Sequence, residues 1–235
     1  MKKICILALM AGGLSLSTVY ADDSKVQNNP LSPVGYWVQY DEDSDAGKGM
    51  ANGILQSYIA DDGTVGVKIV VPLMIVDRNS GKVRAPLVNC EICGKGSING
   101  FTFNYTDSKD NFLQGLQFAG HNTIVANSNT AHTGYVYDNG GVLNPNDGKV
   151  YNGKIQVRDD GETMFARAYK GSGWATVGKD AHWKRIDKAA YEKAKAECGL
   201  TVDNVYPYQT KDGTITNNDL YKKCTNYSFD VKKPF

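Results

Sequence analysis

Cysteines, histidines and acidic clusters are the residues of this 235-residue chain whose types suggest chemistry beyond packing. Cys90-x-x-Cys93 is the sharpest pattern. Two thiols at this spacing do redox work when the first sits at a helix N-terminus, which lowers its pKa. Here the pair follows the strand-like run 83–88 and precedes Gly94-Lys95-Gly96. A structural disulfide is therefore the expected reading, and a thiol oxidoreductase acting through Cys90 and Cys93 is an alternative. Zinc needs four ligands at suitable spacing; His121, His132 and His182 are scattered, so no metal and no cofactor is expected. Asp41, Glu42, Asp43 and Asp45 offer hard oxygens without EF-hand spacing and read as a solvated turn. Ser172, in Gly171-Ser172-Gly173-Trp174, lacks the strand–elbow–helix setting of a hydrolase nucleophile. No catalytic residue emerges, and the chain is not expected to be an enzyme.

Arg167 is a different kind of candidate. It sits mid-strand, and a buried arginine needs an anionic partner or a ligand carboxylate. Facing inward beside Tyr151 it would anchor a ligand; facing outward it would pair with a neighbouring acid. Tyr36, Tyr151 and Tyr169 are the aromatic residues expected to line a site with it.

The compartment follows from residues 1–21. Lys2 and Lys3 precede an apolar run from Ile4 to about Leu16, and Val19-Tyr20-Ala21 fits a cleavage site. This is the three-part pattern of a secretory leader, too short and too interrupted for a span of roughly 20 apolar residues. An exported chain, periplasmic or secreted, is expected, with no membrane span. After cleavage the four cysteines Cys90, Cys93, Cys198 and Cys224 remain, an even number suited to an oxidising compartment. They allow three pairings, of which proximity favours Cys90–Cys93 and Cys198–Cys224. The charge is nearly balanced, with 26 Lys+Arg against 25 Asp+Glu and a net of +1. That balance provides no electrostatic footprint for nucleic acid.

The elements that must position these residues are short. Residues 22–32 form a polar lead-in. From 33 to 186, strand-like runs alternate with turn signals such as Asp61-Asp62-Gly63, Asn146-Asp147-Gly148 and Asp159-Asp160-Gly161. Strands are expected at 36–40, 53–59, 65–71, 73–76, 83–88, 101–105, near 113–118, and at 134–138, 150–158, 163–169 and 181–186. Gly140-Gly141 reads as a turn. Eight to ten of these runs as strands of one fold, with no persistent 3.6-residue period, argue an all-β, antiparallel barrel or sandwich. The extension 187–235 differs. Asp187 caps a helix over 188–197 that Gly199 stops, and Asn218–Cys224 is a second short helix with Thr216 and Asp219 spaced like a capping box. A Cys198–Cys224 bridge would staple this tail.

In a closed barrel the first and last strands are neighbours, so Arg185 can lie over the indole of Trp37. Gly35-Tyr36-Trp37, a closing Trp183-Lys184-Arg185 and a following helix resemble the lipocalin-like, or calycin, plan. A longer resemblance runs through Gly140 to Tyr151, with Asn144-Pro145 and Gly148 inside it, then Met164 to Gly171 and Trp183-Lys184-Arg185. In order, these are similar to an exported bacterial family known as domain of unknown function 2147. The resemblance covers about 33–186 and implies a lipocalin-like barrel closed by Gly35, Trp37, Trp183 and Arg185. The chain departs from the pattern at Ala168, in an apparent insertion at 107–134, in the Cys90–Cys93 loop and in the tail. The family brings no established reaction.

The expected function is non-catalytic binding of a small, partly apolar or amphipathic molecule inside the barrel, which eight strands leave room for when side chains do not fill it. The rival expectation is a filled barrel acting on a protein partner through loop 107–134 and the tail.

Overall fold

The structure, a computed structural model, describes residues 29–77, 79–106, 112–172, 175–201 and 207–234. The expected leader and residues 22–28 of the lead-in lie outside them. In chain order the strands are β1 (Gly35–Tyr40), β2 (Ala51–Ile59), β3 (Val65–Pro72), β4 (Ile75–Val76), β5 (Val83–Arg84), β6 (Lys95–Ile98), β7 (Phe101–Asn104), β8 (Gln117–Ile124), β9 (Val136–Leu143), β10 (Val150–Arg158), β11 (Thr163–Lys170) and β12 (Val177–Ile186). Two helices follow, α1 (Lys188–Glu197) and α2 (Asn218–Thr225).

Eight strands close into an antiparallel barrel in the order β1-β12-β11-β10-β9-β8-β3-β2, while β4–β5 and β6–β7 are separate two-stranded ribbons. Closure sets Trp37 opposite Arg185 on β12 and opposite Leu55 on β2. Alternation sends one side of every strand inward. Trp37, Leu55, Val65, Val67, Ile155, Val157, Met164, Ala166 and Trp183 meet there in one buried cluster. Both tryptophans are nearly inaccessible, at 0% and 5% exposure. The barrel interior is a hydrophobic core.

Two further cores lie on the outside of the wall. β2 and β3 are buried on both faces, which is why Val65–Val71 reads as a nearly continuous apolar run. Their outer face, with Val38, Tyr40, Ile54, Val71 and Leu73, packs against Ala194, Cys198, Leu200, Tyr208 and Cys224 of the tail. Asp187 caps α1 by accepting from the Ala190 N–H at 2.7 Å. In α2 the cap is Asn217, which accepts from the Leu220 N–H at 3.1 Å. That corrects the expected Thr216–Asp219 box by one position: the backbone of Asn217 is extended and places its carboxamide over the first turn. Cys198 at the end of α1 pairs with Cys224 in the last turn of α2, Cα atoms 5.6 Å apart.

The third core is small. The β6–β7 hairpin folds back over the outer face of β8 and β9, and Phe101, Phe103, Leu113, Leu116 and Leu143 close over the Cys90–Cys93 disulfide, whose Cα atoms are 5.4 Å apart.

Three further sequence expectations change here. The strand expected near 113–118 is β8, displaced to 117–124 and running through His121, whose φ is +57°. The β3–β8 register shifts on both sides of Val67, and this irregularity hides the alternation. Asn122 spans the slip by donating from Nδ2 to the Val65 carbonyl at 3.1 Å. Part of the apparent insertion 107–134 is therefore barrel wall. Gly140-Gly141 is not a turn but lies within β9. The two glycines serve opposite faces: a Cβ on Gly140 would sit 2.4 Å from Asn122 Oδ1 inside, and one on Gly141 would sit 2.4 Å from Ile98 Cγ2 of the hairpin outside. Finally β6 appears where no strand is expected, because Lys95–Ile98 has no apolar alternation and is held by its partner β7.

Candidate functional site

With the tail over β1–β3 and the hairpin over β8–β9, the outward side chains of β10 and β11 are left to form a polar surface. Asn152 stands opposite Tyr169 and Lys154 opposite Arg167, so four functional groups share one face as cross-strand pairs. Asp138 and Asn139 of β9 and His121 and Thr123 of β8 extend it. Asn99, at the tip of the β6–β7 hairpin, forms one wall, and Gly171, Ser172 and Thr176 form the other. Together they bound an open groove of about 750 Å³.

The groove is internally bonded. Tyr169 donates its hydroxyl hydrogen to Asp138 Oδ1 at 2.8 Å, and Lys154 Nζ lies 3.8 Å from Asp138 Oδ2. Arg167 Nη1 donates to both carboxylate oxygens of Asp180, at 2.9 and 3.2 Å. His121 Nδ1 lies 3.4 Å from an Asp62 oxygen. Asn99 Nδ2 donates to Asn152 Oδ1 at 2.8 Å and to the Gly140 carbonyl at 3.1 Å, which fastens the hairpin tip across β9 and β10. Burial, reinforced by the bond to Asp138, pushes the Tyr169 hydroxyl up to about 12, so it remains a protonated donor at neutral pH. Bonds from the Thr64 hydroxyl and N–H hold the Asp62 carboxyl below the ordinary carboxylate range.

The barrel floor is built differently. The Arg185 guanidinium lies 4.2 Å from the Trp37 ring centroid. It donates to the carbonyls of Gly161 at 2.7 Å, Ser32 at 2.6 Å, Val34 at 3.1 Å and Pro30 at 3.1 Å. The Trp37 indole donates to the Pro33 carbonyl at 2.9 Å. Gly35, at φ +138°, leaves room for Arg185 Nη1, which lies 3.1 Å from where a Cβ would stand. Trp183 meets Phe118 edge-on in the interior, ring centroids 6.3 Å apart.

Residues 35–185 match the family described as an uncharacterized protein conserved in bacteria (DUF2147). The chain belongs to this family. The match opens on Gly35 and ends on Arg185, the two residues that meet at the barrel floor, and it includes every residue of the groove. The tail from 186 onward lies beyond it. No curated protein matches the chain.

Within this DUF2147 barrel, the four residues expected to bind a ligand do not meet. Arg167 and Tyr169 line the groove together. Arg167 does not face the interior: its neighbours Met164 and Ala166 have the inward parity, and Asp180 stands opposite Arg167 on β12. Tyr36 lies outside the wall, stacked on Tyr191 of α1 at 4.3 Å and 9°. Tyr151 has the parity of Ile155 and Val157; its hydroxyl donates to Asp147 at 3.2 Å and Lys170 Nζ lies 4.8 Å from its ring centroid. Cys90 and Cys93 are 3% and 2% exposed, and Cys90 follows a bridge between Asn89 and Phe112 rather than opening a helix. Among the described residues, no three His, Cys, Asp or Glu side chains are grouped to hold a metal ion, and no helix is long and apolar enough to cross a membrane.

Asn99, Asp138, Asn139, Asn152 and Lys154 are groove residues that sequence reasoning passed over, and His121 is one it weighed as a metal ligand. A signal existed for some of them. Asn152 and Lys154 alternate with Gly153 and Ile155, so the outward polar face of β10 was readable. Which neighbouring strand would share that face was not.

Proposed function

We propose that this protein is an exported, non-catalytic binding protein that takes a small polar ligand in the groove on the outer face of β8–β11. The observation that carries the reading is the contrast between the two faces of β10 and β11. Inward, Ile155, Val157, Met164 and Ala166 belong to a hydrophobic core; outward, Asn152, Lys154, Arg167 and Tyr169 open onto a concavity in the size range of small-molecule sites. An apolar ligand in the barrel would have to displace Trp37, Met164 or Trp183. Export is supported by the leader pattern of residues 1–21 and by two disulfides, which suit an oxidising compartment. The non-catalytic reading is supported by the side chains of the groove: Lys154 pairs with Asp138, and Arg167 is held by Asp180 outside it.

A thermal-shift screen of the oxidised, leader-free chain against polar and apolar small molecules tests this. Polar compounds are expected to raise Tm in the wild type and not in Asn152→Ala. Stabilisation by fatty acids, accompanied by a change in tryptophan emission, would move the site into the barrel and overturn the reading.

A further inference from the structure

We propose that the groove recognises an uncharged, polyhydroxylated ligand, a short oligosaccharide, rather than an anion; this rests on the groove being the binding site. The first reason is electrostatic. Three basic side chains line the groove, and each faces a carboxylate: Arg167 with Asp180, Lys154 with Asp138, His121 with Asp62. Both Asp180 oxygens accept from Arg167 Nη1, so a phosphate or carboxylate approaching the guanidinium would meet the negative charge of Asp180 beside it. With Lys154 and Arg167 each facing a carboxylate at close range, the groove offers little net positive field to an anion.

The second reason is the inventory of what is left. Asn99 and Asn152 are tied to each other, which leaves the Asn99 carboxamide oxygen and the Asn152 Nδ2 hydrogens for a ligand, and Asn139 adds a further carboxamide. Ser172 and Thr176 add hydroxyls, which both donate and accept, as sugar hydroxyls do, and the Thr123 hydroxyl, which donates to the Asp138 carbonyl at 3.1 Å, adds an acceptor. Tyr169 contributes the aromatic surface, and its hydroxyl is oriented by Asp138. Groups of this kind satisfy a ligand that carries hydroxyl donors and acceptors on most of its carbons.

The third reason is preorganisation. Asn99 is tied to Asn152 and to the Gly140 carbonyl, and Tyr169 and Lys154 both converge on Asp138. Polar side chains fixed before a ligand arrives lose less entropy when it binds.

NMR titration of the uniformly labelled, leader-free chain with its disulfides intact tests the inference. The neutral probes are maltotriose, cellotriose and N,N′,N″-triacetylchitotriose; the anionic probes are inorganic phosphate and a sulfated heparin tetrasaccharide. At least one neutral trisaccharide is expected to shift the amides of Asp138, Asn152, Lys154, Arg167 and Tyr169. Its Kd should change less than about 2-fold between low and high salt, because no ion pair with the ligand is there to be screened. Asn152→Ala should weaken it about 10-fold or more with the barrel still folded by circular dichroism, and Lys154→Met should weaken it far less. Salt-sensitive binding of phosphate or the heparin fragment on those same amides, abolished by Lys154→Met, would overturn the saccharide class and leave the groove as the site. Groove amides that respond to none of the five probes would overturn the class and the site together.

Discussion

Arg185 is the residue on which most of the barrel floor converges. It combines a cation–π contact with Trp37 and four carbonyl acceptors drawn from the segment before β1 and the turn before β11. Lysine cannot reproduce a planar fork of five donors. Arg185→Ala is therefore expected to destabilise by about 2–4 kcal/mol, seen as a Tm fall of about 5–15 °C, and Arg185→Lys should recover less than half of it. An unchanged melting curve would count against this role in closure. Arg167 makes the opposite case. Its pair with Asp180 is partly exposed, with side chains 30% and 42% accessible. Arg167→Ala should change stability by under about 1 kcal/mol, so any loss of groove binding in that variant reads as a local effect.

The hairpin β6–β7 is the element that turns an ordinary strand surface into a groove. It reaches the wall only because Gly120 and Gly141 face each other across β8 and β9. A Cβ at Gly120 would meet the Phe101 ring at 2.6 Å, and one at Gly141 would meet Ile98 Cγ2 at 2.4 Å. Gly141→Ala is expected to lift the hairpin tip and cost about 1–3 kcal/mol, with faster hydrogen exchange at Lys95–Asn104 as the local signature. Unaltered exchange there would show that the hairpin holds without the glycine. The tail depends on its bridge. The Cys198–Cys224 loop has a sequence separation of 26, and reduction or Cys198→Ser with Cys224→Ser should cost about 3 kcal/mol and open the tail to limited proteolysis.

At the scale of the whole molecule, the barrel is wrapped rather than bare. The tail covers β1–β3, the hairpin covers β8–β9, and the polar groove occupies part of what is left. The wrapping buries phenols: the hydroxyls of Tyr40, Tyr105 and Tyr208 are pushed from the usual 10.0 up to about 12, chiefly by burial. A raised phenol pKa means that the fold favours the neutral form. Its contribution to stability is complete below pH 10 and is lost as the pH climbs from 10 toward 12, where unfolding releases phenols that ionise at once. Alkaline titration followed by circular dichroism and phenolate absorbance should show these tyrosines ionising together with loss of the fold. Smooth titration near pH 10 with the fold intact would contradict the burial.

The all-β class, the closing strands and the stapled helical tail were legible in the chain because they follow from local rules. Turn dipeptides mark strand ends, Asp187 marks a helix start, and strands β10 and β11 alternate so regularly that their bounds are read within a residue or so. The two disulfide pairs follow from proximity along the chain. Legibility failed at β8, where the irregular β3–β8 register breaks the alternation, and at Gly140-Gly141, whose composition says turn while Asn122 and the hairpin require bare backbone on both faces. The site was half visible: Arg167 and Tyr169 stood out by type and position. Their direction, and the company of Asn99, Asp138 and Lys154, depended on barrel closure and on a hairpin folding back from elsewhere in the chain. Alternation specifies that two sides exist; only packing against distant segments decides which side is core and which is groove.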